Sequence, residues 1–273
     1  MSRIHEALKK AEDERAASQQ ATYSGIEPES PQNSPAPANP RSPIAQTFLG
    51  INPAATPDLL LARTIESKWA PEARTMLFFD GDEQAFGTEE FRTLRSRLYQ
   101  IRERQPLKKL LVTSALPQEG KSFVSSNLAQ VMVRQHGRKA LLIDADLRAS
   151  QLHRTLGTNA TPGLAEYLLG ESDEFAVIQR GPMENLFFIP AGRMVSNPAE
   201  LLGNGRLKSL LHRVESLFDW IILDAPPAVP ISDAALLANH CDGVLMVVRS
   251  NETPFDVARK ARMEFKDTAL VGI

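Results

Sequence analysis

The segment from Leu110 to Ser122 restricts this chain to a small group of folds. An apolar stretch, Leu110 to Thr113, predicts a strand that runs into a turn, after which Gly120-Lys121-Ser122 opens a helix. A strand, a turn and a helix that begins at Gly-Lys-Ser are the setting of a phosphate-binding loop. The backbone N–H groups of such a loop and the positive end of the helix dipole surround a polyphosphate. The segment therefore predicts a nucleotide site.

Nucleotide contacts are predicted for the stretch from 117 to 123. We expect the Lys121 ammonium to reach the β- and γ-phosphates of ATP, and the Ser122 hydroxyl to bind Mg²⁺. The loop departs from the pattern G-x-x-x-x-G-K-S/T because Ala115 stands at the first glycine position. Alanine is tolerated there if the position does not need a positive φ. The predicted contacts are Pro117, Gln118, Glu119, Gly120, Lys121, Ser122 and Phe123.

Composition and charge argue against several classes of protein. The formal net charge is −2, so no excess of positive charge points to nucleic acid, and no nucleic-acid partner is expected. Cys241 is the only cysteine, which rules out a disulfide framework and fits a reducing compartment. No apolar run approaches the ~20 residues of a membrane span, and the polar N-terminus is unlike a signal peptide. The chain is therefore expected in the cytoplasm.

Three regions of different character divide the 273 residues. Residues 1–17 predict a short helix with a narrow apolar stripe, which docks either on its own domain or on a partner. Residues 18–74 are rich in Pro, Ser and Ala and cannot bury enough apolar surface to fold. They predict a disordered, flexible linker, with weak helix at Asp58 to Lys68. Residues 75–273 predict one globular nucleotide-binding domain.

Strands and helices alternate along residues 75–273. Thr75 to Phe79 predicts an edge strand, and Gly87 to about Arg104 predicts an amphipathic helix. This alternation argues for an α/β fold with a mostly parallel sheet, helices on both faces, and ligands at the carboxyl ends of the strands. Further strands are predicted at Lys109–Thr113, Ala140–Asp144, Leu186–Pro190, Trp220–Asp224, Gly243–Val248 and Ala269–Ile273. Further helices are predicted at Lys121–His136, Gly163–Leu169, 198–203, 205–217, Ser232–Ala238 and Pro254–Phe265.

Two of the predicted strands end in acidic residues. Asp144 and Asp146 follow one apolar run, with Arg148 close behind, and Asp224 follows another. An aspartate in such a place commonly caps the next turn. Three of them beside a phosphate-binding loop favour a ligand site instead. Carboxylates there can hold Mg²⁺ and its waters, and one of them can accept a hydroxyl proton.

The order of these motifs resembles the bacterial tyrosine kinases (BY-kinases) of capsule and exopolysaccharide synthesis, of the CpsD/CapB type. The match includes their Walker A, A′ and B motifs and covers roughly residues 85–273. It implies a P-loop NTPase fold and an ATP- and Mg²⁺-dependent protein-tyrosine kinase that regulates polysaccharide chain length or export. Matching segments without obvious chemistry are Leu152 to Gly157, Thr161 to Leu168, Pro190 to Gly192, Asn197 to Leu202 and Val229 to Asp233.

The resemblance also implies roles for individual residues. Asp144 would be the general base that deprotonates a tyrosine hydroxyl, Lys121 would bind phosphates, and Arg148 would stabilise local charge. Asp146 and Asp224 would join Ser122 in holding Mg²⁺ and its water shell. The motif Glu89, Arg92 and Arg95 matches a family motif that mediates assembly of a ring-like homo-oligomer. A solvated charged helix face is the alternative for these last three residues.

The family usually ends in a tyrosine-rich tail that a neighbouring subunit phosphorylates. This chain stops at Ile273 and has three tyrosines, so either a fragment or a tail-less variant is expected. Tyr23 is predicted to be accessible in the linker, whereas packing is favoured for Tyr99 and Tyr167 on amphipathic helices. The resemblance further implies a membrane-spanning polysaccharide co-polymerase as activator, recruitment to the inner face of the plasma membrane, and a tyrosine phosphatase as counterpart.

Two other functions remain open at this point. A positioning or partition ATPase shares the fold, but that class carries a lysine directly after the first loop position, where this chain has Leu116. Strong salt-dependent DNA binding would favour it. A non-catalytic adaptor that senses ATP is the second alternative, and the missing tail keeps it open. Transfer of γ-phosphate to a tyrosine-rich peptide would separate a kinase from an adaptor.

Overall fold

The computed structural model describes residues 61–71, 74–79, 87–266 and 268–273. The helix predicted at 1–17 and the linker up to residue 60 lie outside these residues. No helix in the part of the chain that is described is long and apolar enough to cross a membrane.

Eight strands and nine helices alternate along the described residues. The strands are β1 (Ile65–Glu66), β2 (Lys109–Ser114), β3 (Ala140–Asp144), β4 (Gln179–Arg180), β5 (Leu186–Ile189), β6 (Trp220–Asp224), β7 (Gly243–Val247) and β8 (Leu270–Gly272). The helices are α1 (Thr88–Arg102), α2 (Lys121–Val133), α3 (Leu152–Thr155), α4 (Leu164–Leu169), α5 (Glu174–Val177), α6 (Pro198–Gly203), α7 (Arg206–Val214), α8 (Asp233–Ala238) and α9 (Phe255–Met263).

All eight strands form one sheet in the order β1-β4-β5-β3-β6-β2-β7-β8. Only the β4–β5 pair is antiparallel, and the other six pairs are parallel. The mostly parallel α/β sheet predicted from the alternation is therefore confirmed. The strand that carries the phosphate-binding loop, β2, lies between β6 and β7 in the interior of the sheet.

Helices cover both faces of the sheet, as predicted, because alternate strand residues point into two separate cores. In β2, Leu110 and Val112 belong to the core beneath α1 and α2, whereas Leu111 belongs to the core beneath α4, α7 and α8. Strand residues therefore bury their side chains on both sides, which explains the near-continuous apolar runs of the sequence. The charged residues that end β3 and β6 are left at the carboxyl edge of the sheet.

The flexible linker predicted up to residue 74 is wrong for its last part, because residues 61–71 pack on the domain. They supply β1, which pairs in parallel with β4, so the weak helix predicted at 58–68 is wrong for residues 62–68. Trp69 is 6% exposed, and its ring meets Phe188 edge-on. A Cβ at Gly181 would lie 2.3 Å from the Trp69 indole, so this glycine permits the close approach. Because the segment as a whole is rich in proline, its composition did not reveal the few side chains, such as Trp69, that become buried.

Residues 74–79 form turns rather than the predicted edge strand. Side-chain amides of α2 satisfy their backbone in place of a neighbouring strand. The Leu77 N–H donates to Asn127 Oδ1 at 2.8 Å, and Asn127 Nδ2 donates to the Thr75 carbonyl at 2.8 Å. Met76 is buried between them at 1% exposure. The apolar run of this segment therefore reflects packing on a helix and not a place in the sheet.

We expect Trp69→Ala to lower the free energy of unfolding by about 3 kcal/mol or more, because it removes a buried indole and leaves a cavity. Trp69→Phe should cost far less, since the Trp69 Nε1 is buried with no hydrogen-bond partner among the described residues. Urea unfolding followed by circular dichroism measures both variants, and Lys68→Ala, at an exposed neighbour, is the control. If Trp69→Ala left the midpoint unchanged, residues 61–71 would behave as the linker predicted from composition.

Candidate active site

Three adjacent strands place the predicted site residues at one edge of the sheet. Asp224, at the end of β6, lies in register with Asp144 of β3 on one side and with Val112 of β2 on the other. The segment after β6 is fixed to β2, since the Ala225 and Ala228 N–H groups donate to the Val112 and Ser114 carbonyls. Two of the acidic strand ends therefore lie side by side next to the phosphate-binding loop.

The phosphate-binding loop has the backbone of a nest for anions. Gln118 has a φ of 65°, and Gly120, with a φ of 97°, precedes the first turn of α2 without a side-chain cap. Backbone N–H groups at the start of α2 are thus left for a ligand. Ala115 is not among the described non-glycine residues with positive φ, which explains why alanine is accepted at the first glycine position. Pro117, Gln118 and Gly120 are exposed.

Glu119 has a structural task in this loop that the sequence did not suggest. Its side chain accepts hydrogen bonds from the Leu116 N–H at 2.7 Å and from the Thr253 hydroxyl. The Thr253 hydroxyl in turn accepts the Arg249 N–H at 3.0 Å. The carboxylate is 9% exposed, so it ties the loop to the segment between β7 and α9 rather than facing solvent. Its predicted nucleotide contact can therefore come only from its backbone in this conformation.

Lys121 lies between two carboxylates of the site. Its Nζ is 2.9 Å from Asp146 Oδ2 and 3.6 Å from Asp224 Oδ2. The Ser122 hydroxyl donates to the same Asp224 Oδ2 at 2.6 Å. Burial alone would lower the pKa of Lys121, but Asp224 and Asp146 outweigh it and raise that pKa. The lysine is therefore charged, and it is available to exchange its carboxylate partners for phosphate.

The second oxygen of Asp224 supports the predicted Mg²⁺ site. Asp224 Oδ1 is buried and has no hydrogen-bond partner among the described residues. A buried carboxylate oxygen without a partner is costly unless a ligand or an ion satisfies it. No described group of three His, Cys, Asp or Glu side chains forms a metal cluster. Mg²⁺ needs no such cluster, because it usually takes one or two carboxylates together with waters and substrate phosphates.

Asp144, the predicted base, is fully buried and held by its own loop, residues 145–151. Its Oδ2 accepts the Ser150 hydroxyl at 2.8 Å and the Leu152 N–H at 3.2 Å, and its Oδ1 accepts the Asp146 N–H at 3.3 Å. Burial and then the charge of Asp224 raise the pKa of Asp144 to about 7, against the hydrogen bond from Ser150. Burial likewise raises the pKa of Asp224. A carboxyl that titrates near neutral pH suits proton transfer.

The Arg148 guanidinium bonds to Asp233, which is not one of the predicted site residues. Its guanidinium forms two hydrogen bonds to Asp233, at 2.7 and 3.1 Å, and these bonds raise the Arg148 pKa further. The Arg148 backbone N–H, at 3.3 Å, and that of Ala149, at 3.0 Å, donate to Asp146 Oδ1. The sequence did not single out Asp233, although it ends the family segment that begins at Val229.

The remaining predicted residues lie beside the site on neighbouring helices. Phe123 packs its ring against Phe91 of α1, at 5.9 Å between centroids, and stays 39% exposed. In α1, Arg92 forms an ion pair with Glu89. Arg95 donates to the Val131 carbonyl of α2 at 2.9 Å, so part of its hydrogen-bonding capacity is used within the subunit.

Two of the three tyrosines are packed, as predicted. Tyr99 accepts a hydrogen bond from Trp220 Nε1 at 3.1 Å, and its ring meets the indole edge-on. Tyr167 is 5% exposed, and burial raises its pKa. Both side chains therefore have packing roles in this conformation. Tyr23 lies outside the described residues.

Comparison with known proteins relates the chain to tyrosine-protein kinases. Residues 118–256 match the AAA domain family. The chain is 35% identical over 179 residues to tyrosine-protein kinase YwqD of Bacillus subtilis, covering 66% of this chain and 75% of YwqD. It is 36% identical over 194 residues to tyrosine-protein kinase CpsD of Streptococcus agalactiae serotype III, covering 70% of this chain and 82% of CpsD. It spans only 24% of tyrosine-protein kinase wzc of Salmonella typhimurium, at 33% identity over 64% of this chain.

Solved structures give the same picture. The kinase domain of Escherichia coli tyrosine kinase ETK superposes with a TM-score of 0.65 at 32% identity, covering 67% of this chain and 72% of that one. The chimerical protein CapA2B2 superposes with a TM-score of 0.69 at 25% identity, covering 78% of this chain and 93% of that one. The septum site-determining protein MinD of Pyrococcus horikoshii, at 21% identity, shares the fold with a TM-score of 0.53.

Proposed function

We propose that this chain, which belongs to the bacterial tyrosine-protein kinases, transfers the γ-phosphoryl group of ATP to a tyrosine hydroxyl in the control of capsule or exopolysaccharide synthesis. One observation carries the proposal. Lys121, Ser122 and the carboxylates of Asp144, Asp146 and Asp224 meet at the mouth of a phosphate-binding loop, and one carboxylate oxygen among them has no hydrogen-bond partner in the described part of the chain. This is the combination of cation, metal ligands and base that phosphoryl transfer requires.

The nucleotide is held mainly by the loop itself. The backbone of residues 117–123 surrounds the phosphates, and Lys121 leaves Asp146 and Asp224 to bind the β- and γ-phosphates. Ser122, Asp146 and Asp224 are the residues that would hold Mg²⁺, and the ion would neutralise negative charge on the phosphates. The carboxylates are 2% exposed or less, so charge at the transferring group is stabilised in a site with little water.

The chemical step forms a bond between the tyrosine oxygen and the γ-phosphorus as the bond from that phosphorus to ADP breaks. The phenolic proton passes to the Asp144 carboxylate, whose raised pKa matches that task. Asp144 is 0% exposed beneath residues 145–151, so the tyrosine reaches it only after this loop moves. We propose that substrate binding exchanges the Ser150 hydroxyl on Asp144 Oδ2 for the phenol.

Partners and location are part of the same proposal. We propose a membrane-spanning polysaccharide co-polymerase as activator, a tyrosine phosphatase that reverses the modification, and a place at the inner face of the plasma membrane. The relatives support the first, since wzc is a much longer tyrosine-protein kinase of which this chain matches one part. We propose that the kinase domain includes residues 61–71, because they pack on it.

The deciding experiment incubates the purified chain with Mg-ATP and a tyrosine-rich tail peptide, with and without a cytosolic segment of a candidate activator. Phosphotyrosine is mapped by mass spectrometry, and a peptide with phenylalanine for every tyrosine is the control. We expect phosphate on the peptide, and faster transfer with the activator. Bound ATP without any phosphotyrosine would favour the ATP-sensing adaptor. Salt-dependent DNA binding would favour the positioning ATPase instead, although Leu116 stands where that class has lysine.

Ring assembly through α1 makes a separate prediction. We expect the double variant Arg92→Ala, Arg95→Ala to shift any oligomer towards monomer in light scattering. Loss of the two arginines would leave their partner charges in the interface half-buried and unpaired, which is costly. Arg97→Ala, at an exposed position of the same helix, is the matched control. A thermal melt accompanies the measurement because Arg95 also bonds to Val131. If the mass of the double variant were unchanged, Glu89, Arg92 and Arg95 would form only a solvated charged face of α1.

A further inference from the structure

We infer that Asp233 is a positioning residue, which sets the Mg²⁺-binding geometry of Asp146 by holding Arg148. The inference rests on the proposed function and adds to it a residue to which that function assigns no role. Three observations carry it: the grip of Asp233 on Arg148, the contacts of the Arg148 backbone, and the rigid attachment of Asp233 to the neighbouring strand.

Asp233 and Arg148 are joined by a bidentate ion pair. Arg148 Nε lies 2.7 Å from Asp233 Oδ2, and the Arg148 Nη2 lies 3.1 Å from Asp233 Oδ1. The Asp233 side chain is 2% exposed, whereas that of Arg148 is 40% exposed. A fork of two parallel hydrogen bonds fixes the plane of the guanidinium as well as its distance. The partly exposed arginine is therefore oriented by the buried aspartate.

The Arg148 backbone transmits this orientation to the metal ligand. Its N–H and that of Ala149 both donate to Asp146 Oδ1, which leaves Asp146 Oδ2 directed at Lys121. The Asp146 carboxylate is thus fixed by a turn whose next side chain is clamped to Asp233. Without the clamp the turn keeps its local hydrogen bonds, but the Arg148 side chain is free to approach Asp146, whose charge already acts on it.

The other end of the clamp is rigid. Asp233 begins α8, and the segment that leads to it from β6 is fixed to β2 by the Ala228 N–H, 2.8 Å from the Ser114 carbonyl. The Thr113 hydroxyl adds a bond of 2.7 Å to the Pro226 carbonyl. Asp233 therefore links the loop after β3, which carries Asp146, to the segment after Asp224. The two carboxylates proposed to share one Mg²⁺ are held in register by this link.

The test measures ADP binding by calorimetry in EDTA and in Mg²⁺, and in parallel the kcat and the KM for Mg-ATP. We expect Asp233→Asn to weaken the Mg²⁺-dependent part of ADP binding about tenfold, as loss of an outer partner of a metal ligand does. Binding in EDTA should stay within about twofold, because the phosphate loop is untouched. Asp233→Glu should restore part of the effect. In an Arg148→Ala background, Asp233→Asn should have no further effect.

Asp219→Asn is the matched control, since it breaks a 2.7 Å pair with Arg138 that lies away from the site. It should change stability without changing the Mg²⁺ dependence. Equal loss of binding in EDTA and in Mg²⁺ would show that Asp233 has a general structural role, and would overturn the inference while the kinase proposal stands. An additive effect in the Arg148→Ala background would overturn it as well. A wild-type chain that binds no ADP would overturn both.

Discussion

Lys121→Met is expected to reduce transfer of phosphate to tyrosine by about 10³-fold, the largest loss from any single substitution in the site. Removal of one preorganised donor from a developing negative charge typically costs about 10²–10³ in rate, and Lys121 also neutralises bound phosphate in the ground state. The change keeps the length of the side chain and removes its charge. A kinase assay with the tail peptide, at saturating and at limiting ATP, measures both contributions.

The same substitution should strengthen the binding of Mg²⁺ when no nucleotide is added. The Lys121 ammonium lies between Asp146 and Asp224, where it would compete with a metal ion. Lys121→Met leaves those two buried carboxylates without a cation, so MgCl₂ alone should raise its melting temperature more than that of the wild type. Lys121→Arg keeps the charge and is the control. Full activity in Lys121→Met, or an equal response to MgCl₂, would contradict the placement of Lys121 in this site.

The sequence was sufficient to predict the centre of the sheet because its strands are buried on both faces. β2, β3, β5, β6 and β7 read as apolar runs between turns, and each begins where it was predicted. The acidic residues stand out because each interrupts such a run at its carboxyl end. Since parallel strands bring those ends together, Asp144 and Asp224 could be placed beside the phosphate-binding loop before any contact was known.

The edge of the sheet formed by β1 and β4 could not be predicted from the sequence, for a physical reason. β1 and β4 are two residues long, too short for any alternation of apolar and polar residues to be recognised. Their position depends on contacts between distant parts of the chain, such as Trp69 on Phe188 above Gly181. Composition averaged over residues 18–74 gives the prolines of the segment more weight than one tryptophan. Tertiary packing then overrides the local tendency.

Side-chain partners in the site were likewise hidden. Glu119 and Thr253, and Arg148 and Asp233, are far apart along the chain and meet only through the crossover connections of the fold. A motif records which residue types are present and not which of them bond to each other. Arg148 was predicted as part of the chemical site, whereas its guanidinium is engaged by Asp233 and its backbone by Asp146.

Asp144→Asn is expected to lower kcat by about 10²–10⁴, the range for loss of a general base. Asparagine keeps the shape of the side chain and accepts no proton. For the wild type, kcat/KM should rise with pH through about 7, because Asp144 accepts the phenolic proton only when ionised. Asp144→Asn should lose this limb of the profile. Ser150→Ala, which removes one hydrogen bond to Asp144, should keep the limb and move it to higher pH.

Asp144→Asn should raise the stability of the fold although it lowers activity. A melting experiment therefore separates a chemical role of Asp144 from a folding defect. The pKa of Asp144 is about 7 in the folded chain and about 3.9 in an unfolded one, so between these values the native state retains a proton that the unfolded state has lost. The free energy of unfolding therefore falls as pH rises from about 4 to about 7, and the contribution is lost above that.

Asparagine does not ionise and escapes this loss. Without nucleotide or Mg²⁺ at pH 8, Asp144→Asn should melt several degrees above the wild type, while the two converge near pH 4. A variant that melts lower at pH 8 would show that ionised Asp144 is stabilised by its surroundings, and full activity would transfer the role of base to another group.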